Sequence, residues 1–212
     1  MANPSLKRGI IIILVPHELS LAELGRMAKD PLVQEMRNTP NACGTSVESE
    51  VASYQLLNIK YEANLRQIEN EIKYKEQGGP MLDYTCYIED KIWGVSVTRG
   101  GVYPPSQNYR KEPKEFLIKK LKDLRKDAQN LETPCFGQIL HVLVETEDIK
   151  SEFESAYGNL TEEEKKDYKD IIVIISLVLP VQGEMSNKIF HERSQKKSKK
   201  KSKEEPSTLL AT

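Results

Sequence analysis

The acidic residue best placed to do chemistry in this sequence is Asp83, which opens an apolar segment directly after Gly79-Pro80. An aspartate at a strand start often accepts hydrogen bonds from backbone donors, and the sequence leaves open whether Asp83 has this role or a chemical one. A second acid, Glu50, lies on a predicted helix at roughly 50° from the centre of its apolar stripe, whereas Glu48 lies about 110° away. Glu50 is therefore the acid that this helix turns toward the interior.

Histidine and cysteine patterns argue against a zinc centre and against a disulfide framework. The cysteines are odd in number, widely spaced and without a CxxC pair, which favours reduced thiols. His141 lies inside an apolar segment with no second ligand at metal-like spacing, so we interpret it as a hydrogen-bonded core or edge residue. The remaining members of these two groups are His17, His191, Cys43, Cys86 and Cys135.

Basic residues concentrate on one predicted helix and near the end of the chain. Residues 187–212 hold eight basic and three acidic residues, which leaves 23 basic and 29 acidic residues in 1–186, so the body carries about −6 and the end about +5. The terminal lysines have the form of a localisation signal, with a solubilising tail as the alternative. They are Lys196, Lys197, Lys199, Lys200, Lys201 and Lys203.

The lysines of the predicted helix over 113–130 favour a solvated face over a track for phosphates. Acids interleave with them and cancel much of their field. The basic residues are Lys114, Lys119, Lys120, Lys122, Arg125 and Lys126, and the acids are Glu115, Asp123 and Asp127.

Length and composition predict one domain of ordinary size with unstructured ends. The chain has 212 residues, of which 38% are hydrophobic and 30% charged, and its apolar runs fall short of the roughly 20 residues that cross a bilayer. We predict an intracellular protein of the nucleus or cytoplasm, with no membrane contact. Residues 1–181 form the predicted globular domain, and residues 182–212 form a disordered Lys/Ser-rich basic tail.

Apolar periodicity predicts an α/β fold with a mixed central sheet flanked by helices. Thr161 and Glu164 match a capping box at the start of a helix. The predicted strands are 10–15, 81–88, 92–98, 138–144 and 171–179, and the predicted helices are 18–29, about 45 to 77, 113–130 and a pair that is interrupted near 158–159 and reaches 170.

The order helix, strand pair, helix, strand over about residues 45–144 resembles the core of the PD-(D/E)XK nuclease-like superfamily, a restriction-endonuclease-like core. In that family an acid on the first helix, an Asp on one strand and a hydrophobic-acid-hydrophobic-Lys pattern on the next strand bind a divalent metal. Asp83 falls at the place of the strand Asp, and Glu50 is our choice for the helical acid. The resemblance implies that both are metal ligands.

The second strand motif departs from the family pattern. In Val95-Ser96-Val97-Thr98, Ser96 stands in place of the acid and Thr98 in place of the lysine. Lys119 or Lys120 is a candidate replacement for the lysine, and Arg99 lies beside the motif. The Val97 carbonyl keeps its ability to bind metal because that contact needs only backbone.

Two hypotheses follow from this resemblance. The first is a non-catalytic module with a nuclease-like fold that binds nucleic acid or another protein, with no certain cofactor. The second is a Mg²⁺-dependent nuclease with Asp83, Ser96, Thr98 and Lys120 at its centre, Asp83 and Glu50 on the metal, and Arg99, Lys119 and Lys120 on nucleic acid. Losing two charged groups favours the first. The segment 94–99, followed by a Lys-Lys-Leu helix and residues 139–142, also resembles an uncharacterised eukaryotic family.

Overall fold

The computed structural model describes residues 9–14, 31–39, 47–100 and 113–178, with only the backbone described for 9–14. All of these residues fall in one unit that ends at Leu179. Its strands are β1 (Gly9–Leu14), β2 (Asn64–Ile68), β3 (Tyr84–Ile88), β4 (Lys91–Gly100), β5 (Gly137–Val144) and β6 (Ile171–Leu177), and its helices are α1 (Pro31–Asn38), α2 (Val47–Tyr61), α3 (Pro113–Asn130), α4 (Glu147–Gly158) and α5 (Glu162–Asp167).

The six strands form one mixed sheet in the order β1-β6-β5-β4-β3-β2. Strands β1, β6, β5 and β4 pair in parallel, while β3 pairs antiparallel with both β4 and β2. Strand β3 therefore runs against the other five. The predicted α/β class with a mixed sheet and flanking helices is confirmed.

Helices cover both faces of this sheet, and each face has its own apolar core. One core joins α1 and α2 to alternate residues of the strands, including Val95, Ile139 and Ile174. The other joins α3 and α4 to the residues between them, including Leu140 and Val173. Because successive strand residues point to opposite faces, the inner strands are apolar on both sides and read as continuous hydrophobic runs.

The predicted long helix over about 45–77 is wrong beyond Tyr61. Helix α2 ends there because Glu62 adopts a left-handed φ of 54° and its N–H donates to the Asn58 carbonyl at 2.9 Å, a C-terminal cap usually made by glycine. The Asn58 amide also donates to the Ala63 carbonyl at 2.8 Å. The chain then forms β2 and a 3-10 turn, Glu69–Glu71. The longer helix was predicted because apolar residues continue through this segment at a spacing of three to four residues.

The hairpin of β3 and β4 is confirmed, with a two-residue turn at Glu89 and Asp90. Both residues have positive φ, 52° and 59°, which is the backbone of a type I′ turn that suits strand twist. The predicted capping box of Thr161 and Glu164 is also confirmed, since each side chain accepts a hydrogen bond from the other residue's backbone N–H.

Several predictions concern parts of the chain outside the described residues. They are the helix over 18–29, the basic tail over 182–212 with its localisation lysines, and the thiol of Cys43. Helix α1 was not predicted. Of the helices that the structure describes, none is long and apolar enough to cross a membrane.

Candidate functional site

Asp83 lies where the β3–β4 ladder ends, and its carboxylate extends that ladder by one bond. Its backbone N–H donates to the Val95 carbonyl at 3.0 Å, and its Oδ2 accepts the Val97 N–H at 2.6 Å. The carboxylate thus stands where the next carbonyl of a longer strand would stand. The expectation that backbone donors satisfy this aspartate is met at one of its two oxygens.

The environment of Asp83 disfavours its charged form. The pKa of the Asp83 carboxyl is raised to about 7, chiefly by burial and next by the neighbouring charge of Glu50. The hydrogen bond from Val97 and the positive charge of Lys120 act in the opposite direction, and Glu69 adds a smaller repulsion. Two acids from distant parts of the sequence therefore share one poorly solvated region.

Glu50 reaches this region from α2, the helix on one face of the sheet. Its side chain is only 4% exposed, whereas Glu48 is partly exposed and pairs with Arg37 at 3.5 Å. The charge of Glu50 acts on Arg99 as well as on Asp83. Glu50, and not Glu48, is the helical acid that the fold brings to Asp83.

Arg99 is directed to the α2 face of the sheet. Its Nε donates to the Ser49 hydroxyl. Burial lowers the pKa of the Arg99 guanidinium, and the carboxylates of Glu145, Glu48 and Glu50 oppose that change. The structure places Arg99 among acids of its own fold, apart from the lysines of α3.

Lys120 approaches Asp83 from α3, on the opposite face of the sheet from α2. Its charge lowers the pKa of Asp83, and its Nζ lies 5.8 Å from the centre of the Phe116 ring. Lys119 is exposed on the outer side of the same helix. Of the two lysines considered as replacements for the missing strand lysine, Lys120 is the one near the carboxylates.

Ser96 and Thr98 lie on β4 beside Asp83, and both are partly exposed. Extending the register by one residue beyond the Tyr84–Val95 pair places Ser96 opposite Asp83. The Val97 N–H points at Asp83, and since the N–H and carbonyl of a strand residue point in the same direction, the Val97 carbonyl also faces this side. The strand thus offers a backbone oxygen and two neutral hydroxyls.

By the chemical type of their donor atoms, these groups suit a loosely held Mg²⁺ ion more than a ligand cage made by the protein alone. Mg²⁺ prefers oxygen ligands, is commonly held by one or two carboxylates, and keeps several waters or substrate phosphates. Glu50, Asp83 and the Val97 carbonyl supply that donor set. Among the residues that the structure describes, no three His, Cys, Asp or Glu side chains are grouped closely enough to hold a metal.

Asp127 is an interior acid that sequence reasoning placed on a solvated face. It is 2% exposed, and within the described part of the chain its Oδ1 has no hydrogen-bond partner. Its pKa is raised to about 7, chiefly by burial and next by the charge of Asp123, while the charge of Lys120 opposes this change. Its spacing from Leu117, Leu121 and Leu124 was the available signal, since Asp127 lies on the flank of that apolar stripe.

Tyr74 is near enough to Asp127 and Asp83 for both charges to act on its hydroxyl. Its hydroxyl accepts the Leu82 N–H at 2.7 Å. The pKa of Tyr74 is raised to about 12, chiefly by burial; the hydrogen bond from Leu82 opposes this change, and the charges of Asp127, Glu69 and Asp83 add to it. The helix predicted over about 45–77 included both Tyr74 and Glu69, so the sequence did not indicate that they lie near the candidate site.

His141 belongs to a separate buried chain of hydrogen bonds. Its Nδ1 lies 2.7 Å from the Ser53 hydroxyl and its Nε2 lies 2.8 Å from the Ser176 hydroxyl, while Ser53 also bonds Tyr84 at 2.7 Å. Burial lowers the pKa of His141 to about 3. The prediction of a hydrogen-bonded core histidine is confirmed.

Comparisons with known proteins give one partial similarity. The chain is 42% identical over 66 residues, 31% of its length, to the AAC-rich mRNA clone AAC4 protein of Dictyostelium discoideum. The match spans only 10% of that relative. No family model matches the chain, and no solved structure matches it.

Proposed function

We propose that this domain is a nuclease-like module that binds nucleic acid without cleaving it. The observation that carries the proposal is the composition of the site around Asp83. An acid pair, Glu50 and Asp83, is retained, while the strand positions beside it hold the neutral Ser96 and Thr98. A site of this kind attracts a cation and a phosphate but lacks two charges that would stabilise a phosphoryl transition state.

Binding would rest on charge at two places. A divalent ion held by Glu50 and Asp83 supplies positive charge for one phosphate. Helix α3 supplies more, because Lys119, Lys122 and Lys126 are exposed and their spacing of three and four residues puts them on one face. Lys120, on the same helix, is near enough to Asp83 for its charge to lower the pKa of that carboxyl.

A Mg²⁺-dependent nuclease is the second candidate, and the position of Lys120 favours it. In that case Glu50, Asp83 and the Val97 carbonyl hold the ion. Lys120 from α3 then stabilises the negative charge that develops on the phosphate, a role that the family gives to the strand lysine. The Asp83 oxygen that does not accept the Val97 N–H is the one free to bind the ion.

One pair of assays separates the two candidates. Single-stranded and duplex DNA and RNA are incubated with the full chain and Mg²⁺ or Mn²⁺, and both cleavage and binding are followed for the wild type, Asp83→Asn and Glu50→Gln. Asp148→Asn, an exposed acid on α4, is the matched control. Metal-stimulated binding that both site variants weaken, with no cleavage, supports the first candidate. Cleavage that Asp83→Asn abolishes replaces it with the second, and neither binding nor cleavage refutes both.

For localisation and partners, we propose an intracellular module whose terminal lysines direct it to the nucleus, where nucleic acid is its partner. The support is the dense run of lysines over 196–203. Changing its six lysines to glutamine in a fluorescent fusion of the full chain should move the protein out of the nucleus, whereas Ser198→Ala with Ser202→Ala should not. An unchanged distribution would leave the run with a solubilising role only.

A further inference from the structure

A small polar cleft lies beside Thr85 of β3, two residues after Asp83. It encloses about 40 Å³ between β2, β3 and the segments after the 3-10 turn and after α3. That volume is close to the share of one water molecule, so it admits a single oxygen of a larger group. The lining residues are Arg66, Gln67, Ile72, Lys73, Thr85, Leu131 and Thr133.

The cleft carries two positive charges that have no ion-pair partner in the described residues. Arg66 Nη1 donates to the Gln67 side-chain oxygen, which orients the guanidinium, and none of the ion pairs found within the described ranges involves Arg66 or Lys73. Of the two threonine hydroxyls that line the same space, that of Thr85 donates to the Gln67 side-chain oxygen at 3.4 Å, whereas Thr133 is exposed. Guanidinium, ammonium and hydroxyl donors together form a site for an oxyanion.

Acids next to the cleft in sequence limit its charge but do not cancel it. The Glu71 carboxylate accepts the Ile68 N–H at 3.1 Å, which holds it at the start of the 3-10 turn. Glu69 directs its charge at Asp83 and Tyr74, and Glu132 is exposed. The Gln67 amide is likewise fixed, since its nitrogen donates to the Glu71 carbonyl at 3.1 Å.

Position links the cleft to Asp83. Asp83 lies two residues before Thr85 and just outside β3, so about 7 Å of extended backbone separates the two residues. This separation matches that of neighbouring phosphates in an extended nucleic-acid strand. We propose that the cleft binds one phosphate of a nucleic-acid strand whose adjacent phosphate lies at Glu50 and Asp83, an inference that rests on the proposed function.

Inorganic phosphate is the first probe. Nitrogen-15 NMR spectra of the full chain are recorded with phosphate and with chloride at equal ionic strength. Saturable shifts are expected at Arg66, Thr85 and Thr133, and they should vanish in Arg66→Gln and Lys73→Gln but persist in Lys60→Gln, an exposed lysine at the end of α2. Absence of such shifts in the wild type would overturn the proposal.

A single-stranded oligonucleotide is the second probe, with its affinity measured across salt concentrations. Arg66→Gln should weaken binding roughly 3- to 10-fold at low salt and reduce the slope of log K against log salt by about 0.7, the value for one phosphate contact. Phosphate shifts with an unchanged slope would overturn the nucleic-acid assignment of the cleft. If the wild type binds no oligonucleotide while phosphate still shifts the cleft residues, the proposed function fails and the anion site stands.

Discussion

Replacing Asp127 by asparagine should stabilise the protein, and the gain should grow with pH. Asp127 is almost fully buried, its Oδ1 lacks a partner among the described residues, and burial raises its pKa from 3.8 to about 7. Above pH 7 the folded state must hold a buried carboxylate, which costs up to about 4 kcal/mol for a shift of this size. Asparagine keeps the shape and removes the charge.

The direction in which stability changes with pH follows from the protons bound by Asp127 in the folded and unfolded chains. In the unfolded chain Asp127 loses its proton near pH 4, whereas in the folded chain it keeps the proton until about pH 7, so its contribution to stability falls as pH rises through this window. Allowing for local relaxation and for the compensating charge of Lys120, we expect Asp127→Asn to gain about 2 kcal/mol at pH 8 and less than about 1 kcal/mol at pH 5.

Urea unfolding of the full chain at pH 5, 6, 7 and 8 measures this gain. Glu115→Gln is the matched control, because it removes the same charge from an exposed position on the same helix and should change stability by less than about 0.5 kcal/mol at every pH. A variant no more stable than the wild type at pH 8, or a gain that is equal at pH 5 and pH 8, would show that the buried Asp127 carboxylate does not destabilise the folded state.

Two further substitutions test the core. His141→Gln removes two buried hydrogen bonds and should lower the free energy of unfolding by about 2–4 kcal/mol at pH 7. The pKa of His141 is lowered to about 3, so at pH 5 only the unfolded chain is protonated, and the wild type loses roughly 2 kcal/mol of its advantage between pH 7 and pH 5. A difference in urea unfolding that does not change with pH would contradict this. Gly137→Ala would place a Cβ 2.6 Å from the Trp93 ring and should lower stability by about 1–3 kcal/mol. The control Gly158→Ala, whose Cβ meets no atom within 4 Å, should raise stability by about 0.5–1 kcal/mol. Equal effects of the two changes in thermal unfolding would show that the close contact with Trp93 does not destabilise the Gly137→Ala variant.

Local patterns predicted the elements whose ends carry a recognisable signal. The hairpin over 81–98 alternates β-branched and aromatic residues around a short polar turn, and the helix over 113–130 has a regular apolar stripe. The two buried strands, β5 and β6, are short apolar runs bounded by polar residues. Each of these signals lies within a few residues of the element it specifies, so no long-range information was needed.

Helix α2 was overextended because its end has no glycine. Glu62 adopts a left-handed conformation that charged residues rarely take, and the cap depends on the Asn58 amide as well as on the backbone. The apolar residues of β2 happen to continue the helical spacing. A conformation that is stabilised by tertiary packing against the sheet cannot be predicted from a local sequence pattern.

The candidate site depends on strand order, which the sequence does not encode locally. Glu50 and Asp83 were identified as separate acids from helical angle and strand position. Their proximity follows from α2 packing on one face of the sheet at the end of the β3–β4 ladder, and the approach of Lys120 follows from α3 packing on the other face. The burial of Asp127 was missed because it directly follows the basic residues Arg125 and Lys126.

The candidate site depends most on Glu50 and Asp83 sharing one poorly solvated environment. Carbon-13 NMR titration of the Asp83 carboxyl tests this directly. We predict a midpoint near pH 7 in the wild type and a lower midpoint in Glu50→Gln, because that change removes a neighbouring negative charge. A midpoint near the ordinary value of about 4, unchanged by Glu50→Gln, would contradict the account.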